Sequence, residues 1–171
     1  IMGPVISLYK LSGELQPRLG SGLPYSVPRG VYQCNDDKWV GVSASSDSVA
    51  ARVMTVLGVG DDTRFATFTG RTENRDELEA LMVAWCAQRT RDEVVATLAQ
   101  ADAAVGPVID MADIAIDEHY AARQMIETVG TTPMQGLLAS LSHTPGVLRW
   151  EGRALDADHE DIAKNGWGAT S

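Results

Sequence analysis

The sequence predicts a mixed α/β domain built from a hairpin, several helices and further short strands, with irregular segments at both ends. Two apolar alternating runs, Val31-Tyr32-Gln33-Cys34 and Lys38-Trp39-Val40-Gly41-Val42-Ser43, flank Asn35-Asp36-Asp37, three residues that tolerate a tight turn. Farther on, apolar residues recur at i, i+3, i+4 and i+7, the spacing of one helix face. A β-branched run, Val105-Gly106-Pro107-Val108-Ile109, then reads as a returning strand. Hairpin, helices, strand, helices, strand is the order of a mixed domain rather than a sandwich or a bundle.

Residues 1–29 open with a short apolar run, Val5, Ile6, Leu8 and Tyr9, and then carry Gly13, Pro17, Gly20, Gly22, Pro24 and Pro28. That density of Gly and Pro reads as an irregular lead-in. After the hairpin, Ser46 or Asp47 caps a helix whose Val49, Val53, Val56 and Leu57 share a face and which Gly58 ends. The next residues form a loop with Phe65 and Phe68 as expected anchors. Leu78, Leu81, Met82 and Trp85 then mark one helix over residues 73–88, with Asn74 and Glu77 spaced as a capping-box variant. Thr90 and Glu93 give the next helix a regular capping box, and that helix should bury Val94, Val95 and Leu98 before ending near Gln100.

Residues 103–123 run as a strand end feeding two short helices, opened by Asp110 and Asp117 as caps. Met125 to Val129 reads as a strand and residues 130–133 as a turn, followed by a tail of low regularity. There is no internal repeat.

Composition limits the function classes. Hydrophobic residues make up 44% and charged residues 22%, ordinary for a globular chain of 171 residues, which can bury a proper core. With 23 acidic against 14 basic residues the formal charge is −9, which argues against nucleic acid or an anionic membrane as partner. Local basic spots are confined to such candidates as Arg18, Arg29, Arg71, Arg75 and Arg91. No apolar stretch reaches the roughly 18 residues that span a bilayer, and the opening lacks the order of a secretory signal. Cys34 and Cys86 make neither a disulfide framework nor a metal signature, and read as reduced, buried thiols of a cytoplasmic protein.

Local catalytic motifs are missing from the sequence. It has no phosphate loop and no G-x-S-x-G elbow. Gly20-Ser21-Gly22 and Gly58-Val59-Gly60 belong to no dinucleotide fingerprint, and the second pair suits a helix end and turn. His119, His143 and His159 lack a second ligand at i+3 or i+4, so no metal site is expected. Asp110 and Asp113 are spaced to pair as carboxylates, but capping explains them better. Trp39, Trp85 and Trp150 read as core or interface anchors rather than a stacking platform.

The wording of residues 103–123, AAVGPVIDMADIAIDEHYAAR, closely resembles a stretch of the class III coenzyme A transferases, the family of formyl-CoA transferase, carnitine CoA-transferase and α-methylacyl-CoA racemase. Residues 30–40 are similar to that family's hairpin. Arg64-Phe65 with Asn74-Arg75-Asp76-Glu77-Leu78, then Trp85 with Thr90 to Val94, follow its pattern in order. Leu141 to Gly146 and residues 154–161 resemble its later segments, although Asp156 stands where the family often has Gly and Ala103-Ala104 replaces its usual Gly-Val.

The resemblance implies one part of an enzyme. Residues 1–29 would be the lead-in, 30–130 the family's small domain, and 131–171 a segment returning toward a Rossmann-like large domain. That large domain carries the aspartate nucleophile and most of the CoA surface, so no catalytic residue is assigned here. No tightly bound cofactor is implied; coenzyme A thioesters and carboxylic acids are the substrates, and the full enzyme is a homodimer. In the family a glycine-rich loop ahead of the hairpin covers the reacting carboxylate, and Gly20, Ser21 and Gly22 lie in the comparable place. A racemase of the same fold and a non-catalytic assembly module are the alternatives.

Overall fold

A computed structural model of the chain describes residues 3–167. They form a mixed α/β structure of eight α-helices and two small antiparallel sheets, grouped into two compact units, Ile1–Ile109 and Asp110–Ser171.

In the first unit, β1 (Arg29–Gln33) pairs antiparallel with β2 (Trp39–Ser43), which pairs antiparallel with β3 (Val105–Val108). Residues 35–37 turn the hairpin as expected, with Asp37 at φ 59° and the Cys34 N–H donating to the Lys38 carbonyl at 2.8 Å. Side chains alternate across a strand, so Tyr32, Val40 and Val42 enter the core. The opposite face carries Arg29 across from Ser43, Val31 across from Gly41, and Gly41 across from Gly106.

The helices follow from their caps. Ser46 Oγ accepts from Val49 N–H to open α2 (Asp47–Val56), and Gly58 at φ +77° ends it. Thr90 Oγ1 accepts from the Glu93 N–H, while the Glu93 carboxylate accepts from the Thr90 N–H at 2.8 Å, completing the box that starts α5 (Arg91–Gln100). Val94 and Leu98 are buried as expected, and Val95 is partly so.

Three expectations for this unit are corrected. Residues 3–12 are helical (α1, Gly3–Ser12), because the breakers of the lead-in begin only at Gly13 and Pro4 sits in the first turn, where its missing N–H costs nothing. The helix expected over residues 73–88 is present as α4 (Arg75–Cys86), but a further short helix, α3 (Phe68–Glu73), precedes it where a loop was expected. The chain bends at Asn74, whose side chain caps neither helix start but donates from Nδ2 to the Gly70 carbonyl at 2.8 Å. Thr67 supplies the cap that opens α3, accepting from the Gly70 N–H. Phe65, in a 3-10 turn over Thr63–Phe65, anchors the loop, but Phe68 begins α3 with 41% of its surface exposed.

The core gathers Val27, Tyr32, Val40, Val42, Val53, Met54, Phe65, Leu78, Met82, Val94 and Leu98 with Cys34 and Cys86. On α4 the buried stripe is Leu78, Met82 and Cys86, and Trp85 lies at its margin with the Arg89 guanidinium 4.3 Å above its ring. Among these apolar groups sits a charge: Arg71, only 2% exposed. Its Nε donates to the Val27 carbonyl at 3.1 Å, one terminal nitrogen to the Phe65 carbonyl at 3.3 Å, and the other to Asp47 Oδ1 at 2.7 Å.

In the second unit, Asp110 caps α6 (Met111–Ile116) and Asp117 caps α7 (Glu118–Ala122), as expected. The strand over residues 126–129 is β4 (Ile126–Val129), but the turn is shorter than expected. Gly130, at φ +61°, lets β5 (Thr132–Gln135) start at once, so Pro133 lies inside a strand opposite Thr128. The tail is irregular until α8 (His159–Asn165), a helix the periodicity missed because it holds only Ile162 and Ala163 as apolar residues. Asp156 adopts φ 66°, the left-handed region that glycine occupies without strain, which is why Asp is a tolerable substitute there. Among the described residues this unit buries no large hydrophobic side chain, and Trp150 is 64% exposed.

Arg71→Ala should destabilise the chain by about 3 kcal/mol in urea unfolding, because two carbonyls lose their donor inside the core. Asp47→Asn should cost less than a third of that, since the Asp47 side chain is mostly in water. Glu93 gives a pH test. The Thr90 backbone N–H, then its hydroxyl, hold the carboxyl below its ordinary 4.5. The stabilisation is therefore present above the ordinary glutamate range and is lost as pH falls through the lowered folded value. Urea midpoints of wild type and Glu93→Gln should differ at pH 7 and converge as pH falls below the ordinary glutamate range.

Candidate functional site

The loop residues singled out from the sequence sit on the free edge of β1. Ser21 Oγ accepts from the Val31 N–H at 2.9 Å, an N–H that faces away from β2. Gly22 donates its N–H to the Leu19 carbonyl at 3.0 Å, and Gly20 takes φ +60° to make the turn. Gly30 has to be small here: a Cβ would lie 3.2 Å from Ser21 Oγ and 3.3 Å from the Tyr32 hydroxyl. The Gly20-Ser21-Gly22 loop is thus clipped to the sheet rather than a free linker.

Beside it, the outer face of the three-stranded sheet holds a shallow depression of about 400 Å³, bordered by Ser21, Arg29, Val31, Gly41, Ser43 and Gly106. Arg29 donates to Ser45 Oγ at 3.3 Å, and Ser45 Oγ shares a hydrogen bond of 3.1 Å with Ser43 Oγ. Sequence reading picked Arg29 only as one of several basic residues. The signal for its setting lay in the hairpin register, which pairs it with Ser43.

Other candidates have structural duties. The Tyr32 hydroxyl donates to Glu79 Oε2 at 2.8 Å, and burial followed by the Glu79 charge pushes it above the ordinary phenol range, so it remains a donor. Burial raises both thiols, Cys86 to about 12, which leaves them protonated and poor nucleophiles at neutral pH. Both are buried and free. Arg64 binds Asp62 and Glu77, both at 2.7 Å, and holds the Asp62 carboxyl below its ordinary value. Those contacts tie the 3-10 turn to α4.

Asp110 Oδ1 accepts from the N–H groups of Ala112 and Asp113, and Asp113 Oδ2 accepts from the Asp110 N–H at 3.2 Å. This reciprocal box accounts for the pair as caps. The His119 ring stands edge-on to Tyr120, and His159 Nδ1 lies 3.5 Å from Asp156. Among the described residues no three His, Cys, Asp or Glu side chains come together as a metal set. None of the described helices is long and apolar enough to cross a membrane. Of the three tryptophans read as anchors, Trp39 lies on the outer sheet face and Trp150 is largely exposed.

Comparison with known proteins converges on one group. A family model described as CoA-transferase family III matches residues 1–159. Succinyl-CoA–D-citramalate CoA-transferase of Chloroflexus aurantiacus is 31% identical over 170 residues, covering 95% of this chain and 42% of that protein. The alpha subunit of succinyl-CoA–L-malate CoA-transferase from Chloroflexus aurantiacus is 27% identical, covering 85% of this chain and 36% of that protein. The crystal structure of a CAIB/BAIF family protein from Brucella suis superposes with a TM-score of 0.79 at 26% identity, over 96% of this chain and 44% of that one. The chain thus spans about two fifths of the length of the curated relatives it matches. The hairpin, the caps and the family match agree, and the chain belongs to CoA-transferase family III.

Proposed function

We infer that this chain is a portion of a CoA-transferase that moves coenzyme A from an acyl-CoA to a carboxylic acid. The observation that carries this is the match along 95% of the chain to a transferase acting, by its name, on succinyl-CoA and D-citramalate. The relatives reported above are named as transferases, which favours transfer over the racemisation available to the same fold, and over a non-catalytic module.

Such transfer proceeds by covalent catalysis. A carboxylate attacks the thioester carbonyl, the CoA thiolate leaves, and a mixed anhydride forms. The thiolate then takes the enzyme-side carbonyl, releasing the donor acid and leaving an enzyme–CoA thioester for the acceptor to attack. We assign the attacking aspartate to a large domain outside these 171 residues. Residues 30–130 are the small domain that closes on it and residues 131–171 the returning segment, whose exposed Leu155, Trp150 and Trp167 suit burial against further polypeptide. In this reading the Gly20-Ser21-Gly22 loop borders the acyl group, where the Gly20 and Ser21 N–H groups, without an acceptor among the described residues, can approach an oxyanion while that of Gly22 is committed to Leu19. A cytoplasmic homodimer is the setting we propose. Alpha and beta subunits among the relatives are in keeping with assembly.

Purified 1–171, incubated with succinyl-CoA and a carboxylic acid acceptor, should exchange no CoA by chromatography of the thioesters. Co-expression with the large-domain polypeptide should restore exchange. Turnover by 1–171 alone would overturn the assignment.

A further inference from the structure

The depression on the outer sheet face has two features that packing does not explain. First, a Cβ added at Gly106 would meet nothing within 4 Å, and one added at Gly41 would meet only the Gly106 carbonyl at 3.9 Å. Neither residue has the positive φ that calls for glycine. Two adjacent strands therefore leave a bare floor where larger, better strand formers would fit. Second, no carboxylate among the described residues reaches the half-buried Arg29 guanidinium at its rim, although the chain carries a formal charge of −9. Ser45 takes one donor, and the planar fork keeps others for a ligand.

We propose that this shelf binds the free carboxylate of a short dicarboxylic acyl group, with Arg29 as the residue that selects a charged acyl chain over an uncharged one. The inference rests on the transferase reading above for its biological meaning, and on the shelf alone for its chemistry. One guanidinium matches the single charge of a carboxylate, to which its paired N–H groups donate in parallel. Ser43 and Ser45 hydroxyls lie beside it to complete the oxygen contacts. The glycine floor between Gly41 and Gly106, flanked by Val31, accommodates two or three methylenes that a side chain would displace. A phosphate dianion would find, among the described residues lining the shelf, this one cation. Ser21 borders the same shelf from the edge of β1, so the bound chain would lead toward the Gly20-Ser21-Gly22 loop.

The test is a titration of ¹⁵N-labelled 1–171 with succinamate, which carries one carboxylate and an amide in place of a thioester, against succinamide, which differs only in lacking the charge. Succinamate should move the Gly30, Gly41 and Gly106 amide resonances and the Arg29 Nε resonance saturably in the millimolar range, and succinamide should not. Arg29→Gln should weaken the binding at least tenfold, and Arg29→Lys should recover part of it. Gly106→Val should abolish it while unfolding at the same or higher urea concentration than wild type, because valine favours a strand. Equal shifts from both compounds, unchanged succinamate binding in Arg29→Gln, or binding of inorganic phosphate but not succinamate would overturn the proposal. None of these readouts requires CoA transfer, so the titration and the exchange assay fail independently.

Discussion

A single buried guanidinium holds the first unit to its shape. Arg71 reaches from α3 to the carbonyls of Val27 and Phe65 and to Asp47 at the start of α2. The lead-in to the sheet, the 3-10 turn and two helices thus converge on one planar group. A charge this deep is tolerated only because all three arms of the fork find oxygen. The neighbouring Arg64 repeats the idea at the surface, where water weakens the same contacts. Val27 is in turn two residues ahead of β1, so the position of the hairpin depends on an arginine that shares no element with it.

That arrangement frees the other face of the sheet. With Tyr32, Val40 and Val42 committed to the core, Arg29, Gly41, Ser43 and Gly106 are turned outward by the strand alternation alone. The clip between Ser21 and the Val31 N–H then brings the glycine loop alongside. One set of contacts inside the domain accordingly lays out the loop and the open shelf together. The second unit is built differently: its helices and hairpin satisfy their own caps and ladders but bury almost no apolar surface among the described residues.

Much of this was legible from residue order, for definite reasons. The hairpin, the box at Thr90 and Glu93 and the Asp110 and Asp117 caps are local, and local chemistry is written in neighbouring residues. What escaped was set by distance. The short helix α3 sets Gly70 so close to the Arg64 carbonyl that a side chain would not fit, and the burial of Arg71 depends on Val27, 44 positions away. Gly20, Ser21 and Gly22 were picked out by resemblance, but only the fold brings Ser21 to β1. Arg29 looked like one arginine among several because its distinction, the lack of an ion pair among the described residues, exists only in space. Asp156 runs the other way: a departure in sequence that its φ of 66° makes intelligible.

In the function proposed above, the reacting carboxylate lies outside these 171 residues. Trapping decides it most directly. The complete enzyme is loaded with acyl-CoA, quenched with hydroxylamine to convert an enzyme–CoA thioester into a hydroxamate, and mapped by peptide mass spectrometry. The hydroxamate should fall on a carboxyl group outside residues 1–171. Finding it on any of the 23 acidic side chains of this chain would contradict the account.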